Sequence, residues 1–411
     1  MENELLPHLF RTEYRKIVAV LSAHFGFESE GLGEDIASDT FLTAAETWGQ
    51  KGLPANPVAW LYHVAKNKAR DHLKHARVRQ KAAAALQEGE ENPPDIDLSE
   101  QNIQDSQLRM MFAICQPLIS PAAQTCLALR ILCGFGIDEI ADAFLSNKET
   151  INKRLFRAKE TLRKQQVEIV VPSQPEIGER LPAVLATLYL LFNEGYYSSH
   201  HDLTVRKDLC LEAMRLAHML VENEVTNRPE ANALLALMCY HASRFEARTD
   251  EQGEIIRYED QDRCLWNDEL IGRGHHYLQL SSSGDRITKY HLEATMAYWH
   301  TLKEDVPEKW ENILQLYNRL LQLEYSPMAA LNRTYALAKA RGKTVAIAEA
   351  KKLELSGHHL YHVLMGYLYR EVGPGTAKGY LHTALALAKT TAEKNRIRKD
   401  LINLDTDVVA E

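Results

Sequence analysis

The sequence predicts an all-α protein: two small helical domains, the second a helix-turn-helix, followed by a C-terminal helical, repeat-like domain. Three observations predict it. Apolar residues recur with helical period along nearly every segment. Residues 136–164, GIDEIADAFLSNKETINKRLFRAKETLRK, read as two helices with a tight break between them. Near the C-terminus Tyr335 pairs with Tyr369 and Ala350 with Ala384, each 34 positions apart, which is a tetratricopeptide period; a generic array of helical hairpins explains it nearly as well.

Residues 5–27 carry Leu5, Leu9, Tyr14, Ile17, Val18, Leu21 and Phe25 on a helix-period face, and a Gly-rich turn follows at 26–33. The next helix, 34–48, has a buried stripe of Ala37, Phe41, Ala44, Ala45 and Trp48. Asp35 and Asp39 lie one turn apart on another face, near the helix N-terminus, where negative charge is favourable. They read either as simple charge placement or as a docking surface for a basic partner helix. A loop, GQKGLPANP, leads into a helix from Val58 to about Lys81. There Leu61, Ala65, Ala69 and Leu73 step along one face and Lys66, Arg70, Lys74 and Arg77 along the next. Residues 60–81 hold seven Lys or Arg against one acid, with Trp60 and Tyr62 at the start, a pattern that suits single-stranded nucleic acid as well as a solvated face.

Residues 82–106 turn acidic and read as a linker. Residues 107–134 read as helical, ending in the turn Gly134-Phe135-Gly136. The first helix of the pair runs from Ile137 to Phe144, and Ser146 and Asn147 cap the second. In that helix Ile151, Leu155, Ala158 and Leu162 make the core stripe. Its other faces carry Lys148, Lys153, Arg154, Arg157, Lys159, Arg163 and Lys164 against Glu149 and Glu160, a layout that suits the DNA major groove. Leu145 stands where such motifs commonly have Gly, and an ordinary helical hairpin with a basic face is the alternative. Pro172 to Pro182 reads as a second linker. From 183 to 405 the pattern is helical, with apolar faces at 183–193, 206–222, 230–245 and 309–324.

The formal net charge of -8 means that DNA binding must rest on local basic charge. The 45% hydrophobic and 25% charged content is that of a soluble globular chain. The start, MENELLPHLF, lacks the layout of a signal peptide, and the longest apolar run, 181–192, is too short for a bilayer. Six scattered cysteines without a C-x-x-C pair point to reduced thiols, and hence to the cytoplasm. His pairs at 200–201, 275–276 and 358–359 belong to no ligand motif, so neither metal nor cofactor is expected.

The order of parts then becomes specific. EDIASDTFLTAAETW, NPVAWLYHVAKNKARDHLKH and IDEIADAFLSNKETINKRLFRAKETLR resemble the bacterial RNA polymerase sigma factors of the extracytoplasmic-function class, group 4 of the sigma-70 family. LYLLFNEGYYSS, ALLALMCYHASRFEAR, YEDQDRCLWN and SPMAALNRTYAL resemble the subgroup that carries a long C-terminal helical extension. The resemblance implies sigma region 2 at 1–81, for core binding and the -10 element, and sigma region 4 at 107–171, for the -35 element. The extension at 183–405 would be regulatory. It implies that Asp35 and Asp39 dock on the clamp helices of the polymerase's largest subunit and that region 4 meets the flap of the second-largest. It implies that Lys148, Glu149, Thr150, Lys153, Arg154 and Arg157 face the -35 element. Asn56, Trp60, Lys66, Arg70, Lys74 and Arg77 would face the -10 element, with an extruded base near Asn56.

A sigma factor catalyses nothing itself, so no catalytic residue is assigned. Two other classes stay in view: a ligand-responsive helix-turn-helix regulator with a helical sensor, and an enzyme using Glu194, Asp260, Asp262 and His275, for which no nucleophile elbow, phosphate loop or metal motif is present. Asp260, Asp262 and Arg263, with Trp266 behind them, form a candidate regulatory node in the extension or at its contact with the sigma domains; a capped turn between two helices is the plainer reading.

Overall fold

A computed structural model describes residues 2–27, 29, 31–84, 96–144, 146–196, 206–250, 256, 258–302 and 307–409. Among them are eighteen α-helices and no strand. The chain forms two compact units, Met1–Leu191 and Phe192–Glu411.

The first unit holds α1 (Glu2–Phe25), α2 (Leu32–Lys51), α3 (Pro57–Ala84), α4 (Glu100–Ile114) and α5 (Pro121–Leu127), which runs into a π-helical turn (Ala128–Leu132). It continues with α6 (Ile137–Ala143), α7 (Lys148–Lys164) and the N-terminal part of α8 (Gln174–Tyr196). Its organising element is α1. Ile17, Val18, Ala19, Val20 and Leu21 are consecutive and all at most 3% exposed. Five buried residues in a row cannot share one face of a helix, so α1 is covered on opposite sides: by α2 and α3, and by α4 and the π-helical turn. Gly134, at φ 75, lets the chain turn close against α1, where a Cβ would sit 3.4 Å from that of Arg15. The segments 1–81 and 107–171 thus lie in one compact unit.

Several expectations need correction. The helix expected over 107–134 begins at Glu100, capped by the Ser99 side chain, and breaks at Cys115. Pro117 cannot continue it, and Ser120 with Pro121 caps the next helix. Helix α3 also extends to Ala84, so both ends of the segment expected as a linker are helical, and residues 85–95 lie outside the described residues. The second linker is mostly helix: the Glu176 carboxylate reaches back to the start of α8, Oε2 accepting the Ser173 N–H at 2.9 Å and its hydroxyl at 2.6 Å, and α8 tolerates Pro182 on an exposed face. Ala45 is exposed; Ile36 and Thr40 fill the stripe instead, and the Thr40 hydroxyl is satisfied by the Ile36 carbonyl at 2.7 Å. Leu145 lies outside the described residues.

The second unit contains α9 (Lys207–Glu222), α10 (Pro229–Ala242), α11 (Asp268–Ser281), α12 (Lys289–Thr301) and α13 (Pro307–Leu323). After these come α14 (Pro327–Arg341), α15 (Lys343–Ala350), α16 (His359–Tyr369), α17 (Pro374–Leu387) and α18 (Thr391–Val409). Helix α10 is buried almost all round and packs on α9, α11 and α12. Gly274 makes the α10–α11 approach possible, since a Cβ there would lie 2.6 Å from the Tyr240 ring. From α12 onward each helix packs on the next. Tyr335 and Ala350 fall in the α14–α15 pair, and Tyr369 and Ala384 in the α16–α17 pair.

Candidate nucleic-acid interface

Helix α6 ends at Ala143 and α7 begins at Lys148. The Asn147 side chain caps α7, accepting from the Thr150 N–H at 2.8 Å. The buried residues of α7 are Ile151, Leu155, Ala158 and Leu162, the stripe read from the sequence. Burying that stripe on α5 and α6 leaves an outer face of the helix to solvent. Glu149, Thr150, Lys153 and Arg157 are exposed, and so is Lys148, which pairs with Asp138 at 2.6 Å. Arg154 differs. It is half-buried, donates to Cys126 Sγ at 3.6 Å and lies over the Phe144 ring. Phe156, not singled out in the sequence, is 52% exposed on the outer face between Lys153 and Arg157. The signal for it was there: an apolar residue one step off the core stripe.

The second candidate surface is the start of α3. Asn56 is exposed and also caps the helix, its Oδ1 accepting the Ala59 N–H at 3.0 Å. Trp60 is half-buried and packs edge-on against Trp48, with ring centroids 5.3 Å apart. Tyr62 is tied inward: its hydroxyl donates to the buried Glu13 at 2.5 Å, and burial with that carboxylate pushes its pKa well up. Lys66 and Arg70 are half-buried and already make contacts of their own, whereas Lys74 is exposed. The side chain of Arg77 lies outside the described residues.

On α2 both Asp35 and Asp39 are exposed, while Ile36 and Ala37 between them and Thr40 after them are buried. Their neighbour Glu34 takes a different part. It receives Lys159 Nζ at 2.6 Å and Arg130 Nε at 3.2 Å, all three side chains being less than 20% exposed. Sequence reasoning gave Lys159 to the DNA and missed Glu34 and Arg130, because partners 125 and 96 positions apart leave no local pattern.

In the second unit the candidate node is an internal one. Asp260 and Asp262 are exposed, and Asp262 caps a short turn through the Cys264 N–H at 2.9 Å. Arg263 lies over the Tyr258 and Trp266 rings and donates to the Leu302 carbonyl at 3.2 Å. Lys309, almost fully buried, donates to the same carbonyl at 3.1 Å. Two cations thus meet the C-terminal end of α12, where the helix dipole favours them. Trp266 is buried. The carboxylate–His candidates are spent separately: His275 packs against Tyr240 and Tyr298, and Asp262 on its turn. Among the described residues no group of three His, Cys, Asp or Glu could hold a metal ion, and no helix is long and apolar enough to cross a membrane. His200 and His201 lie outside the described residues. Five cysteines are buried and Cys264 is exposed; burial pushes the Cys115 thiol up to about 12.

Comparison with known proteins bears on this geometry directly. Residues 9–79 match sigma-70 region 2, which covers most of α1, all of α2 and most of α3. The chain is 30% identical over 134 residues to the ECF RNA polymerase sigma factor BldN of Streptomyces coelicolor, across 31% of this chain and 48% of that one. Residues 180–282 match a family of unknown function (DUF6596). The chain belongs to the extracytoplasmic-function sigma factors that carry a long C-terminal extension. It is 33% identical over 392 residues to uncharacterized protein R00370 of Rhizobium meliloti, across 92% of this chain and 91% of that one. No solved structure matches it. Its role is therefore that of a sigma factor in transcription initiation, in association with core RNA polymerase.

Proposed function

We propose that this sigma factor reads both promoter elements and that its extension modulates the reading. Helix α7 enters the major groove of the -35 element, the N-terminal end of α3 handles the -10 element, and α2 docks on the polymerase. The observation that carries this is the division of α7: four buried apolar residues on one stripe, and outside it an exposed face bearing Lys148, Lys153, Phe156 and Arg157. Lys153 and Arg157 supply phosphate and base-edge donors, and Phe156 offers an apolar surface to a thymine methyl. Asn56, Trp60 and Lys74 lie along the opened strand, and the exposed pair Asp35 and Asp39 meets the clamp helices of the largest subunit. The flap of the second-largest subunit meets region 4. Residues 1–81 and 107–171 act as the two reading domains, and the helical array after them as a repeat-like regulatory domain. On this reading the polymerase performs the chemistry and the chain supplies recognition and strand separation.

The test is run-off transcription with purified core polymerase and a promoter selected from random DNA by the holoenzyme. Promoter-dependent transcripts that require this chain are the expected result. DNA binding without polymerase-dependent initiation would favour a helix-turn-helix regulator and overturn the proposal.

A further inference from the structure

We propose that the first unit is a closed form of the sigma module and that Glu34 is the clasp that holds it shut. The inference rests on the reading of α7 and α3 as the -35 and -10 elements' partners. Those elements lie about 25 base pairs apart, roughly 85 Å along the duplex at 3.4 Å per pair. A compact unit of 191 residues has a radius of gyration of about 16 Å and is only about 40 Å across. It cannot touch both elements while closed. To touch both, the two halves must part, and the contacts between them must break.

The geometry shows what those contacts are. Glu34 stands at the start of α2, the helix that carries Asp35 and Asp39. Its carboxylate takes Arg130 from the π-helical turn on one oxygen and Lys159 from α7 on the other. Arg130 also donates to the Phe135 carbonyl at 3.1 Å, so it belongs to the α7 half and reaches across. The three side chains are 13%, 17% and 18% exposed. Removing the carboxylate therefore loses two attractions and leaves two shielded cations facing each other, a case where breaking a pair costs far more than forming it gains. Beside the clasp, the apolar surface of α1 is shared between both halves, and opening uncovers part of it. The free chain therefore stays closed, and a partner that covers α1 and α2 releases α7. Closure also withholds Lys159 from DNA.

The experiment uses the full-length chain with Cys264→Ser, which removes the exposed thiol. Spin labels are placed on Leu42→Cys in α2 and Asn152→Cys in α7, both exposed. Pulsed dipolar spectroscopy of this protein is expected to give one short distance, and Glu34→Gln to add a long-distance population. Lys159→Gln is the second variant for the same readout, should Glu34→Gln lose helicity. In unlabelled protein Glu34→Gln should bind a -35 duplex more tightly without polymerase, by about tenfold if one molecule in ten is open at the start. Distances that stay short in both variants overturn the clasp. Distances that lengthen while duplex affinity stays the same uphold the clasp and overturn the assignment of α7 to the -35 element.

Discussion

Arg157 and Arg154 illustrate how far single residues can be read. Both are basic, both sit outside the core stripe of α7, and the sequence gives no reason to part them. The structure parts them: Arg157 is exposed, and Arg154 is held by Cys126 and Phe144. Arg157→Ala should then cost about 1–3 kcal/mol of promoter binding and relax preference at one base pair, if its contact is bidentate to a guanine. Arg154→Ala should lower affinity with a measurable loss of thermal stability, since it removes an internal contact as well. Binding to a set of single-base promoter variants checks both, and unchanged affinity and selectivity in the double variant would sink the assignment. Asn56 needs a similar separation, because it caps α3 as well as standing near the proposed opened strand. Asn56→Ala forfeits a cap worth about 1 kcal/mol, whereas Asn56→Ser keeps it. If the side chain also serves strand opening, both variants should lose permanganate reactivity of -10 thymines while closed complexes persist. Recovery in Asn56→Ser would mean that capping was all it did. The exposed carboxylates are simpler to test: reversing charge at Asp35 and Asp39 should reduce capture of core polymerase in a pull-down without changing the melting temperature.

At the scale of elements, periodicity was legible and junctions were not. The stripe of α7 could be read residue by residue because four positions spaced by turns of a helix must share a face. The Ser-x-x-Glu pattern at Ser173 and Glu176, whose carboxylate accepts from Ser173, was equally present in the sequence, yet the prolines around it suggested a linker. Proline stops a helix only where its missing N–H and its ring cannot be accommodated, and Pro182 lies on an exposed face. The consequence is practical. Ile177, Leu181, Val184, Leu185 and Leu188 of α8 are all at most 1% exposed, and Arg180 and Thr187 reach the Phe112 carbonyl and Gln124 at 2.9 and 2.7 Å. A chain cut at 172 loses a helix that the first unit needs. It should aggregate or melt at a markedly lower temperature than a chain cut after Tyr196, which differential scanning calorimetry will show. On α3, Lys74 is the exposed one among the described side chains of the basic track, so Lys74→Ala should lower the salt slope of single-strand binding by about 0.7 with little change in sequence preference. An unchanged slope would place the DNA elsewhere.

For the whole molecule the question is why a chain whose first compact unit ends at Leu191 continues for a second unit of 220 residues, Phe192–Glu411. The period that suggested hairpin repeats is carried by consecutive pairs of helices, and stacked hairpins commonly present an extended surface to a partner. The nearest available partner is the chain's own sigma module. Helix α8 contributes residues to both units, so the tether is short and the effective concentration high. Proximity alone shifts nothing, however; control requires that the extension bind one form of the module better than the other. The expected outcome is that a fragment ending at Tyr196 differs from the full chain in core binding or transcription, and that residues 174–411 added in trans restore the difference. Both fragments carry α8 because each unit buries part of it. Isothermal titration calorimetry of the two fragments measures the association itself. If the fragment and the full chain transcribe alike and the fragments release no heat on mixing, the extension serves an outside partner. If they associate but transcription does not change, the contact exists without a preference between forms, and the extension is a scaffold and not a regulator.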